Sequence, residues 1–245
     1  MNEKIRGLIL KETNFGEADK ILTILTETNG KISVLAKNIR RVKGRFGAGA
    51  AFLCYSEFEI TPSKTELYYL KRATPINNFF KLSESIEKLA LATYMGQLVS
   101  FAVPDGISNE SETLPLLLNT FYAMQSTDRD LRLIKSAFEL RLMAEEGFAP
   151  QITECALCGT QEQPFYFNIK EGTVTCKNCL DNGILLSNAL YMSMLYIITA
   201  DVKKLYSFSL GEENLKVLSM LAERYMTFCM GREIPALDYF NTLFK

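Results

Sequence analysis

The first third of the chain carries the apolar pattern of short strands. Lys4 to Lys11 mixes apolar residues with charge. Asp19-Lys20-Ile21-Leu22-Thr23-Ile24-Leu25-Thr26 is rich in the β-branched residues that suit a pleated surface. Thr28-Asn29-Gly30 follows, and Asn-Gly between two such runs predicts a hairpin whose second strand is Lys31 to Lys37. Phe52–Thr61 and Leu67–Ala73, separated by Pro62-Ser63-Lys64, supply two more strands. Five short strands with no helix-length window between them predict a small closed or nearly closed barrel built as a meander, since closure removes exposed sheet edges.

Beyond Thr74-Pro75 the period becomes helical. Ser83, with Glu84 and Glu87 near the positive helix end, is expected to cap a helix presenting Ile86, Leu89, Ala90, Tyr94 and Leu98, and Pro104-Asp105-Gly106 ends it. Asn109 with Glu112 predicts a second helix opening, running to about Met124. Leu131 to Glu146 is apolar around most of its circumference, with Arg132, Lys135 and Glu139 as a narrow polar stripe, the pattern of a central bundle helix stopped by Gly147 and Pro150. Ser209-Leu210-Gly211-Glu212 reads as a capping box for a helix whose inner face is Leu215, Leu218, Leu221, Ala222, Tyr225 and Phe228. The expected class is α+β multidomain: a barrel over residues 1–76, then a helical domain over 77–245 with a cysteine module inserted at 151–186.

Composition narrows the chemistry. The 245 residues are 48% hydrophobic and 22% charged, with a formal net charge of −1, so the total charge selects no partner. There is no histidine, which excludes Ser-His-Asp and Cys-His nucleophilic machinery, His-containing metal sites and the usual neutral-pH acid or base. Six cysteines are too few for a disulfide-built scaffold of this length. The N-terminal Met1-Asn2-Glu3-Lys4-Ile5-Arg6 shows no signal-peptide layout, and the most apolar window, Gly183–Ala200, is interrupted by Ser187, Asn188, Ser193 and Thr199. A span needs about 20 mainly apolar residues. A buried core helix and a cytoplasmic protein are expected.

Four of the cysteines form two pairs, Cys155-Ala156-Leu157-Cys158 and Cys176-Lys177-Asn178-Cys179, separated by 17 residues. Two knuckles offering four thiolates suit tetrahedral zinc, and four protein ligands leave no position for water, so such a site is structural. Phe165–Ile169 and Thr173–Thr175, joined through Glu171-Gly172, read as the hairpin of a zinc ribbon. The module is a zinc site or a metal-free relic of one. A redox dithiol is the main rival, with no thioredoxin-like βαβ unit to support it, and an iron–sulfur centre fits evenly split knuckles less well. Cys54 and Cys229 are isolated and read as buried small apolar residues.

Charge is divided along the chain. Residues 1–75 hold 13 Lys and Arg against 8 Asp and Glu, a balance of +5, which leaves −6 for the remainder. Lys31, Lys37, Arg40, Arg41, Lys43 and Arg45 fall within fifteen residues that contain no acid. Such concentration on a small barrel is an electrostatic footprint for a polyanion. Lys37, Arg40, Arg41, Lys43 and Arg45 are the candidate phosphate contacts. Phe46 and Tyr55 are candidate stacking platforms, Phe46 reading more readily as a core residue. A merely solvated basic loop is the competing reading. In the helical region, Arg132, Lys135 and Arg141 could meet a partner's acidic tail, with surface solvation as the plainer alternative.

These residues resemble a known family. Gly16-Glu17-Ala18-Asp19-Lys20-Ile21-Leu22-Thr23, then Gly30-Lys31-Ile32-Ser33-Val34-Leu35-Ala36-Lys37, then Arg40-Arg41-Val42-Lys43-Gly44-Arg45-Phe46, are similar to the N-terminal signature of the bacterial DNA repair family RecO, and the four-cysteine module stands where many members carry theirs. The resemblance covers essentially the whole chain. It implies an OB-fold barrel followed by an α-helical domain with a zinc-ribbon-like insertion and a structural Zn held by Cys155, Cys158, Cys176 and Cys179. It further implies a nucleoid-associated, non-enzymatic recombination mediator in DNA repair. Such a protein binds single- and double-stranded DNA, anneals strands, partners RecR and the single-stranded-DNA-binding protein, and helps load RecA. Two other functions stay open: a protein-interaction adaptor with a structural zinc site, and a metal-dependent nuclease using Asp and Glu alone. Neither oligomeric state nor partner surfaces are legible at this level.

Overall fold

The computed structural model describes residues 2–41, 46–63, 67–106, 112–179 and 182–244. The chain divides into two compact units, residues 1–114 with 234–245, and residues 115–233. Among the described residues no helix is long and apolar enough to cross a membrane.

The first unit is built on a closed five-stranded barrel: β1 (Glu3–Phe15), β2 (Asp19–Thr26), β3 (Lys31–Ala36), β4 (Tyr55–Pro62) and β5 (Tyr68–Asn77). All five strands expected from the alternation are present. The order around the barrel, β1-β2-β3-β5-β4, is not that of a meander. The long β1 serves two neighbours, pairing β4 through Glu3–Leu8 and β2 through Gly7–Phe15, while β5 closes the barrel by lying parallel to β3 at Val34↔Tyr68 and Leu35↔Tyr69. Where β1 serves both, Gly7 is required: a Cβ there would sit 2.5 Å from the Leu25 carbonyl oxygen. Ile9, Leu22, Ile24, Val34, Phe58 and Ile60, all buried, form the core of the barrel.

Helix α1 (Ile86–Ala102) packs against β1, and the C-terminal helix α6 (Pro235–Thr242) packs on α1, with the Ala236 N–H donating to Gln97 Oε1 at 3.3 Å. The cap of α1 is Ser85, whose Oγ accepts from the Lys88 N–H at 3.2 Å. The expected Ser83 lies instead within a 3-10 turn, Phe80–Glu84. Lys31 is drawn away from the basic segment: it is buried, pairs with Asp105 at 3.4 Å and donates to the Ser100 carbonyl at the end of α1.

The second unit combines α2 (Thr113–Ser126, entering from the first), α3 (Leu131–Glu145), α4 (Asn188–Thr199) and α5 (Glu212–Met230) with a four-stranded sheet. The expected Asn109 cap lies outside the described residues. Helix α3 is central, contacting α4 and α5. Its expected polar stripe is not solvated. Lys135 and Glu139 are fully buried and paired at 3.0 Å, and Lys135 also reaches Glu223 at 2.8 Å. Arg132 bridges Asp130 and Glu212, and Arg141 binds Glu145 and the carbonyls of Ile198 and Ala200. All three cations are thus engaged within the unit; Lys135 and Arg141 are largely withdrawn from solvent, which corrects the reading of them as plain surface, while Arg132 stays partly exposed. Helix α5 starts at Gly211 with no side-chain cap, so Ser209 plays no such part, and Phe228 faces outward while Met226 takes the inner position.

Asp130 does two jobs: its carboxylate caps α3 through the Arg132 N–H at 2.8 Å, and it pairs with the Arg132 guanidinium at 2.6 Å. Hydrogen bonding from Arg132 holds the carboxyl of Asp130 below the usual aspartate range. A depressed folded-state pKa stabilises above the unfolded value, near 3.9, and that contribution fades as pH falls through the folded pKa. Asp130→Ala should therefore cost about 1–2 kcal/mol at pH 7 in urea melts. Asp130→Asn, which keeps a capping oxygen, should cost less, and its difference from the parent should shrink as pH falls below the unfolded value and vanish below the depressed folded-state pKa.

Candidate nucleic-acid interface and candidate metal centre

The basic segment leaves the barrel at the end of β3 and folds back onto the β1–β2 turn. Lys37 is exposed, and its ammonium lies 4.6 Å from the centroid of the Tyr69 ring on β5, a cation–π contact set up by the parallel pairing of β3 and β5. Asn38 takes a left-handed conformation (φ 56°), and its N–H donates to Asp19 Oδ1 at 2.7 Å. The Arg40 N–H donates to the Ala18 carbonyl at 3.0 Å, and the Arg41 N–H to the Asn38 carbonyl at 3.2 Å. Arg40 and Arg41 are exposed, with Arg40 Nη1 3.5 Å from the Gly16 carbonyl and Arg41 Nη2 2.7 Å from Glu17 Oε2. Lys37, Arg40 and Arg41 are thereby gathered on one rim of the barrel. Lys43 and Arg45 lie outside the described residues.

Phe46 corrects the expectation of a stacking platform. It is only 6% exposed and packs in the barrel core, where the apolar ring is stabilised by burial and offers no open face to a base. Tyr55 is partly buried, and its hydroxyl donates to Glu27; burial first, and then this carboxylate, pushes its pKa up to about 12. Tyr69 was not singled out by sequence. On β5 Leu70 is in the core and Tyr68 packs against it, so alternation puts Tyr69 on the outer face, and the exposed Lys71 and Arg72 follow on the same strand. The Tyr-Tyr doublet was the available signal. Its adjacency to Lys37 depends on a long-range strand pairing that no local pattern encodes.

The second site lies in the four-stranded sheet: β6 (Gln151–Cys155), β7 (Phe165–Asn168), β8 (Thr173–Cys176) and β9 (Ile184–Leu186), in the order β6-β8-β7-β9. The expected hairpin is β7–β8, antiparallel from Phe165↔Cys176 to Asn168↔Thr173. Cys155 ends β6 and Cys176 ends β8, both buried, while Cys158 is exposed and Cys179 half-buried. Gly159, at φ 72°, turns the first knuckle and donates its N–H to the Cys155 carbonyl at 2.8 Å. The four sulfurs lie within 4.8 Å of one another.

This donor set can hold a metal ion. Sulfurs about 2.3 Å from a tetrahedral zinc stand roughly 3.8 Å apart, and Cys158 Sγ and Cys176 Sγ are 3.7 Å apart. The Cys176 N–H, 3.3 Å from Cys155 Sγ, is the main cause that draws the Cys155 thiol down to about 6. The neighbouring sulfurs of Cys158 and Cys176 push Cys179 up to about 12. Four thiolates this close repel unless a cation sits among them, the arrangement expected of a closed structural site. Cys54 is buried in the barrel unit and Cys229 half-buried on α5, and burial raises both thiols.

Comparison with known proteins finds matches along nearly the whole chain. The model described as "Recombination protein O N terminal" matches residues 1–79, and "Recombination protein O C terminal" matches residues 83–238. The chain belongs to the RecO family. It is 34% identical to the DNA repair protein RecO of Acetivibrio thermocellus, over 98% of this chain and 96% of the relative. It is 33% identical to the RecO of Caldicellulosiruptor bescii, over 97% of each chain, and 32% identical to that of Caldicellulosiruptor saccharolyticus, also over 97% of each. The RecO N-terminal domain is an OB-fold, which is the closed barrel described above.

Proposed function

We propose that this RecO family member binds DNA through the rim formed by Lys37, Arg40 and Arg41, together with Lys43 and Arg45 of the same basic run of sequence, with Tyr69 in the stacking role expected of Phe46. The supporting observation is the gathering of Lys37, Arg40 and Arg41 on the rim of an OB-fold barrel, with the Lys37 ammonium against the outward-facing Tyr69 ring. Single strands gain both phosphate contacts and base stacking; double strands gain the phosphate contacts alone. Annealing needs no general acid or base, which agrees with a chain lacking histidine. Two polyanionic strands repel, and cations that neutralise phosphates lower that barrier while leaving base edges free to pair. The protein on this reading is not an enzyme. It acts as a recombination mediator in the cytoplasm, with RecR and the single-stranded-DNA-binding protein as partners and RecA loading as the outcome. Zinc at Cys155, Cys158, Cys176 and Cys179 is structural.

Annealing of two complementary labelled oligonucleotides, alone and coated with the single-stranded-DNA-binding protein, tests this reading. Faster annealing in both cases, with strands left intact in the presence of magnesium, is the expected result. Cleavage of the strands would favour a metal-dependent nuclease. Intact strands with neither binding nor annealing would favour an adaptor that docks acidic proteins.

A further inference from the structure

The two acids of the β1–β2 turn lie against the basic segment, and they do so differently. Asp19, at the start of β2, directs its carboxylate at backbone: Oδ1 accepts the Asn38 N–H at 2.7 Å, at the one left-handed residue between β3 and the arginines. The neighbouring Ala18 carbonyl accepts the Arg40 N–H at 3.0 Å. These two ties fix the path of residues 38–40. Among the described residues Glu17 holds no backbone in place. Its carboxylate is 87% exposed and meets the side chain of Arg41, itself 62% exposed, at 2.7 Å. Asp19 therefore orders the chain that carries Arg40 and Arg41, whereas Glu17 occupies a guanidinium that a phosphate would otherwise take.

Resting on the proposed DNA-binding reading, we infer that Asp19 is a positioning residue for the phosphate contacts and that Glu17 competes with phosphate for Arg41, so that neighbouring acids act on DNA affinity with opposite sign. The sign is what makes the inference sharp. Removing a negative charge beside a polyanion site strengthens binding if charge alone matters. Asp19→Ala removes that charge together with the tie to Asn38, and the arginines must then be ordered on binding, at a cost of order 0.5–1.5 kcal/mol per immobilised side chain, or roughly two- to tenfold in affinity.

The experiment is fluorescence anisotropy of a labelled single-stranded thymidine 20-mer titrated with the full chain over a range of salt. Glu17→Gln should bind more tightly, by roughly one-and-a-half- to fivefold, as befits an exposed ion pair of about 0.2–1 kcal/mol. Asp19→Asn keeps an acceptor oxygen for the Asn38 amide and should match or exceed the parent. Asp19→Ala should bind about two- to tenfold more weakly, with a flatter dependence of affinity on salt as phosphate contacts are lost. A purely structural defect would lower the active fraction at an unchanged slope. If Asp19→Ala fails to fold, Asp19→Ser, one bond short of the Asn38 amide, repeats the reading. Asp19→Ala binding as tightly as the parent or tighter, in step with Glu17→Gln, overturns the inference. The triple change of Lys37, Arg40 and Arg41 to Ala separates the two failures. If it leaves binding unchanged, the DNA-binding reading itself has failed. If it weakens binding while Asp19→Ala does not, only the inference about the turn has failed.

Discussion

Changing Lys37, Arg40 and Arg41 together to alanine should weaken single-stranded DNA binding about a hundredfold at about 0.1 M salt. Each phosphate contact to a single strand contributes roughly 0.7 to the slope of log affinity against log salt. Three lost contacts should therefore flatten that slope by about 2, which near 0.1 M amounts to about two decades in affinity. Adding Lys43 and Arg45 to the set should flatten it further, to a total loss of about 3.5. The effect should be similar for unrelated sequences, because phosphates carry no sequence information. The thermal midpoint should move little, since the ion pair of Arg41 with Glu17 is exposed on both sides. Tyr69→Ala should behave differently, weakening single-strand binding by roughly 1–3 kcal/mol per base lost from the ring while sparing duplex binding.

The largest effect on stability should come from the cysteine cluster. The protein as purified should carry about one equivalent of zinc by elemental analysis. A structural zinc supplies on the order of 10 kcal/mol of binding free energy, and that energy is folding energy because the site is not formed in the unfolded chain. Stripping the metal with a chelator, or replacing Cys176 with Ser, should lower the melting of residues 115–233 by more than about 10 °C in calorimetry. Cys176 is the informative position: it ends β8, lies 3.7 Å from Cys158 and lends its N–H to Cys155, so its sulfur ties the two knuckles together. Metal-free protein with an unchanged melting profile would show the cluster to be a relic.

The barrel strands were legible because alternation and β-branched runs are local signals, as was the Asn29-Gly30 hairpin. Their order was not. Placing β5 beside β3 is a contact between distant segments, and with it went the position of Tyr69. Phe46 and Tyr69 show the consequence: beside a basic run, an aromatic residue can read as a stacking ring, yet the one in the loop turned inward and the one on a strand faced out. On α3, Lys135 and Glu139 stand four residues apart, a spacing that reads as a solvated stripe on an isolated helix. Here α5 covers that face and Glu223 completes a buried ion cluster. Ser85 and Ser83 lie two residues apart, and the 3-10 turn Phe80–Glu84, which takes up Ser83, leaves Ser85 to cap α1. The clustering of the four cysteines was the clearest part of the sequence, because two Cys-x-x-Cys pairs flanking a hairpin bring their sulfurs together.

The most direct measurement of where DNA lies is ultraviolet crosslinking of a thymidine oligonucleotide to the full chain, with the adducts mapped by mass spectrometry. The account expects adducts in the peptides carrying Lys37 and Tyr69, lost when a strand-saturating excess of unlabelled oligonucleotide is added. Adducts confined to residues 115–233, with none on the barrel, would contradict it and move the nucleic-acid site off the OB-fold.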